Sequence, residues 1–85
     1  MNTNPNKKAK LTAILPDGNV NTRTTARTYT HAIAIDLNEG NGWGCIAWCG
    51  SLELAEKRLD SEERAWNKNP MWQNAGIKFE IVEVK

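Results

Sequence analysis

The sequence predicts an α+β fold, an antiparallel sheet with one helix packed on one face, in the order β-β-β-α-β. Three observations carry that prediction. Apolar and polar residues alternate with period two before residue 50 and again after residue 76, as half-buried strands require. One segment only, after Gly50-Ser51, opens with helix-start signals. Residues with defined turn preferences separate these segments.

Residues 1–7 form a polar, proline-containing start that is expected to be a disordered tail, with residues 8–85 as a single domain. Lys8 to Leu15 places Ala9, Leu11, Ala13 and Leu15 on one face of a first strand. Pro16-Asp17-Gly18-Asn19 is a turn, because proline presets φ and Gly or Asn accepts positive φ. Thr22 to Leu37 then reads as one long strand with room for a bulge. Its odd positions run Arg23, Thr25, Arg27, Tyr29, His31 and turn apolar at Ile33, Ile35 and Leu37, while its even positions are small. Asn38 to Gly42 is a second turn, and the three strands are expected to form an antiparallel meander. Trp43 to Cys49 is apolar on both faces, the pattern of a central or doubly covered strand. Ser51 is the expected N-cap of a helix reaching about Lys68, with the inward stripe Leu52, Ala55, Leu59 and Trp66. Asn69-Pro70 ends it, Met71-Trp72 sits in a loop, and Ile77 to Val84 returns as a last strand at an edge, with Ile77, Phe79 and Ile81 inward. A lone helix leaves the second face of the sheet partly open.

The 85 residues make one small domain whose strands and helix must share one core. The net charge of +1 argues against binding as a polyelectrolyte. Its distribution is uneven: residues 1–35 carry five basic groups against Asp17, and residues 36–85 carry six basic against nine acidic. Cys45 and Cys49 share a strand face at a separation of about 13 Å, too far to bond, so both are read as free thiols in a reducing compartment. One histidine and the absence of a CxxC pair give no metal site, and no cofactor is implied. No apolar run reaches the length of a membrane span and no signal peptide is evident, so the expected location is the cytoplasm, with no membrane partner.

The residues that ask for a function are Arg23, Arg27, Tyr29 and His31, which strand spacing would set on one side of the sheet over roughly 26 Å. Arginine forks and an aromatic ring there suit an acidic protein patch, or the phosphates and bases of a single strand. The plain structural reading pairs both arginines with nearby carboxylates. Trp72 beside Met71 is a candidate anchor, the alternative being that the pair folds back over the helix end. Trp48 is assigned to the core. The Gly-rich run Glu39 to Gly44 lacks the spacing and Lys-Ser/Thr of a phosphate loop. No nucleophile with a base and an orienting third group is marked, so no catalytic residues are assigned and the protein is not read as an enzyme.

Leu15-Pro16-Asp17-Gly18, Arg23, Arg27, Tyr29-Thr30-His31-Ala32, Trp48, Gly50-Ser51 and Leu54-Ala55 together resemble a family of small phage and prophage accessory proteins. The resemblance covers residues 11 to about 59, and its most specific part is Tyr29 to Ala32. It brings no activity and no catalytic residue. It implies a class: accessory proteins of this size, anti-CRISPR inhibitors among them, that bind and block a host protein. The expected function is therefore inhibition of a host protein, such as a defence-complex subunit, by a monomer or homodimer through Arg23, Arg27, Tyr29, His31 and Trp72. The alternative is a single-stranded nucleic-acid-binding module using the same strand face.

Overall fold

The computed structural model describes residues 8–85, so the expected tail at 1–7 lies outside the described residues. In chain order the elements are β1 (Ala9–Ile14), β2 (Val20–Thr25), β3 (His31–Asp36), β4 (Trp43–Cys49), α1 (Leu52–Asn67) and β5 (Lys78–Glu83). The α+β class and the single helix are as the sequence predicts. There is one strand more than predicted, because Thr22 to Leu37 is two strands.

The break has a local cause. The hydroxyl of Thr25 accepts the Arg27 backbone N–H at 3.1 Å, a side-chain turn that competes with continued strand pairing. Regular pairing resumes around Thr30, whose N–H donates to the Cys49 carbonyl and whose carbonyl accepts from Val84. As a result β2 and β3 belong to different sheets, and the expected three-strand meander does not exist. β1 and β2 form an antiparallel hairpin, and β4-β3-β5 form a separate antiparallel sheet.

β3 is the central strand of that sheet, and Ala32 to Ile35 are buried in succession. β4, which its apolar sequence places centrally, is at an edge, with Trp43 and Trp48 only half-buried. Ile46 is the extra residue of a β-bulge, since Ala47 pairs with Ile33 while Cys45 pairs with Ala34. The bulge moves the two cysteines to opposite faces. Cys49 joins the helix-side core, whereas Cys45 faces the other way, and both remain free thiols.

α1 packs its Ala55 and Leu59 on Ile33, Ala47 and Cys49, with Phe79 and Ile81 of β5 at the margin. Ser51 caps it, its hydroxyl accepting the Leu54 N–H at 3.1 Å. Leu52, expected inward, is half exposed, and Trp66 is half-buried. Ile33 is completely buried, which alone favours folding by about 1.5–3 kcal/mol.

The opposite face is not open. Ala32 and Ala34 point there and are wholly inaccessible, as is Ala13 of β1. Four ties place the β1–β2 hairpin across that face. Thr12 and Lys85 exchange backbone hydrogen bonds of 2.9 and 2.8 Å, beside a bridge between Ala13 and Val84. The Asp17 carboxylate at the hairpin tip accepts the Trp43 N–H at 3.0 Å. The Asn21 side chain lies beside the Cys45 thiol, and Tyr29, just beyond the hairpin, contacts Trp48. The alanines make this possible, because small side chains let the two layers approach closely. Helix, sheet and hairpin form three layers.

Candidate interaction surface

Arg23 lies in register with Leu11, on the same face of the hairpin as Ala13 and Asn21, near the end where that face becomes exposed. Its guanidinium carbon sits 5.2 Å from the centre of the Tyr29 ring. Tyr29 in turn leans on Trp48, ring centres 6.3 Å apart and planes tilted by 54°. Arginine, tyrosine and tryptophan thus make a short ladder from the hairpin to the edge strand. Each step is worth about 0.5–1.5 kcal/mol at most, enough to hold the side chains but not to hold the fold. Trp48 and Tyr29 are half-buried and Arg23 is exposed, so the ladder is partly offered to solvent.

Arg27 is exposed on the 26–30 segment between Thr25 and Tyr29, its backbone fixed by the Thr25 hydroxyl. Among the described residues the ion pairs are Arg58–Glu62 at 2.9 Å and Arg64–Asp60 at 2.8 Å, both along α1. Neither Arg23 nor Arg27 is neutralised by a carboxylate. The reading in which both pair with carboxylates is not what the structure has.

The other two residues selected from the sequence lie elsewhere. His31 opens β3 on the helix side, in register with Cys49 and Glu83, and its Nδ1 is 2.8 Å from the Thr30 hydroxyl. Trp72 packs edge-on against Trp66, centres 5.3 Å apart and planes at 77°. It is the folded-back half of its pair, while Met71 is 78% exposed. The Trp72 loop is tied to the far end of β3 by Asn38, whose side-chain amide donates to the Ala75 carbonyl at 3.0 Å. The predicted row of four, set on one strand, is therefore divided. Arg23 and Tyr29 meet, Arg27 is two residues from Tyr29 along the chain, and His31 and Trp72 lie apart. The residue that sequence reasoning missed is Trp48, assigned to the core because the edge position of β4 is not visible in an apolar run.

Both cysteine thiols are shifted away from the thiolate form. Burial pushes the Cys45 thiol up, against a smaller lowering by a backbone hydrogen bond with Ala47 and by Arg23. Burial likewise raises Cys49, the residue opposite His31. A reactive cysteine needs the reverse shift. Among the described residues no group of three His, Cys, Asp or Glu side chains is placed to hold a metal, and no helix is long and apolar enough to cross a membrane. Comparison with protein-family models, curated proteins and solved structures gives no match to this chain.

Proposed function

We propose that this protein is a non-enzymatic binding module that contacts another protein through Arg23, Tyr29 and Trp48, with Arg27 two residues from Tyr29 along the chain. One observation carries the reading: an arginine without an ion-pair partner, held over an aromatic ladder on an accessible surface. Arginine with Tyr or Trp is the composition that dominates binding surfaces. The resemblance to phage and prophage accessory proteins directs the reading further. The partner is a host protein, such as a subunit of a defence complex, and contact inhibits it in an anti-CRISPR-like manner.

A second reading has the same ladder as its support, since rings beside arginine also stack the bases of a single strand. The net charge of +1 and the two arginines involved weigh against it. Capture of partners from a bacterial lysate on the immobilised protein, with and without nuclease, separates the two. A nuclease-resistant protein partner is the expected result. Retention only through nucleic acid, with direct oligonucleotide binding that falls steeply with salt, would replace the first reading by the second.

A further inference from the structure

A notch of about 210 Å³ opens under the β3–β4 turn, at the end of β3 opposite the Arg23–Tyr29 ladder. Its inner wall is apolar, from Ile35 and Leu37, and its floor is Gly44. Glu39 and Asn41 line it too and are exposed, which places them at the mouth. No residue of α1 lines it.

Neither its backbone angle nor crowding requires Gly44 to be glycine. Its φ is not in the left-handed region, unlike that of Gly18, Gly40, Gly42 and Gly76. A Cβ built on it would meet nothing within 4 Å. Glycine inside a strand weakens it by roughly 0.5–1 kcal/mol relative to alanine. Such a position accompanies a bulge, here two residues on at Ile46, or admits the close approach of a ligand or another chain. Glu39 is the one charged group lining the notch, and among the described residues it makes no ion pair.

An apolar slot with a carboxylate at its mouth fits a long apolar stem that ends in a cation. Arginine suits it better than lysine. The guanidinium is more weakly hydrated, and its planar fork can donate to the Glu39 carboxylate and the Asn41 side-chain carbonyl together. We propose that the notch formed by Ile35, Leu37 and Gly44 beneath Glu39 receives an arginine side chain of a protein partner. The site is separate from the Arg23–Tyr29 surface and does not rest on it.

The test is an amide-resolved NMR titration of the full chain with N-acetyl-arginine N-methylamide, against the citrulline analogue, which has the same shape without the charge. Saturable shifts confined to residues 35–44 are expected at millimolar arginine, with citrulline about tenfold weaker. Glu39→Gln should weaken arginine by a similar factor with an unchanged spectrum elsewhere. Gly44→Val fills the slot and should abolish the shifts. Gly44→Ala, whose added carbon meets nothing, keeps the fold and should weaken them. Equal response to arginine and citrulline, shifts scattered over surface carboxylates, no saturable shift, or full binding by folded Gly44→Val and Gly44→Ala would each overturn the proposal.

Discussion

Replacing Ala32 by leucine tests whether the hairpin covers the second face of the sheet. Ala32 has no accessible surface, and its neighbours across the sheet are Trp48 on β4 and Val82 on β5. Above it lies the hairpin, whose Ala13 and Leu15 are 0% and 3% exposed. Three added carbons have no room there unless the hairpin lifts, and overpacking of a closed layer costs about 1–3 kcal/mol. At 4–8 °C per kcal/mol for a domain of this length, the melting temperature should fall by roughly 4–24 °C. An open face gives the opposite sign, because a leucine between Trp48 and Val82 would gain apolar contact. Differential scanning calorimetry on Ala32→Leu reads the sign directly. Val20→Leu, on the outer side of the hairpin at 56% exposure, is the control and should shift melting little. An unchanged or raised melting temperature for Ala32→Leu refutes the three-layer arrangement.

Asp17 gives a pH prediction. The Trp43 and Asn19 backbone N–H groups hold its carboxyl below the usual 3.8. A depressed folded pKa adds stability that is present above the unfolded value and is lost as pH falls through the folded one. The Trp43 amide shift should therefore titrate with a midpoint below 3.8, and this step should vanish in Asp17→Asn; a midpoint at or above 3.8 contradicts the contact. Gly76 has φ +76° and leaves only 2.9 Å between a built Cβ and the Asn38 side-chain nitrogen. Gly76→Ala should cost on the order of 1–2 kcal/mol in chemical denaturation, whereas Gly44→Ala should add about 0.5–1 kcal/mol of stability. A double-mutant cycle on Trp66 and Trp72 should return a coupling of about 0.5–1.5 kcal/mol, and additivity would show that the two rings do not support each other.

Much of the fold is legible in the residues. The alternation of Ala9, Leu11, Ala13 and Leu15, the Pro16-Asp17-Gly18 turn, the Ser51 cap and the Phe79-Ile81 face each translate into the observed element. The break at Thr25 is harder to see, because Thr and Ala continue a period-two pattern and no Pro or Gly interrupts it. The signal is the Thr25 hydroxyl, which can bond its own backbone two residues on. The identity of the central strand is hidden for a related reason. Ala32 and Ala34 look like an open small-residue face, yet they are buried because a second layer needs to come close. The bulge at Ile46 is likewise silent in sequence, and it alone decides that Cys45 and Cys49 face apart. Of the candidate surface, Arg23, Arg27 and Tyr29 were within reach of residue type and spacing. Trp48 was not, since its partner ring arrives from a segment that only the strand break releases.

The central claim is that Arg23 and Arg27 are kept for a partner and not for the fold. The double variant Arg23→Glu/Arg27→Glu measures this most directly. Arg23 makes one cation–π contact worth about 0.5–1 kcal/mol and Arg27 makes no ion pair, so the melting temperature should fall by no more than about 8 °C. Capture of the protein partner from lysate by the same folded variant should be lost. Undiminished capture, or unfolding of the variant, would contradict the account.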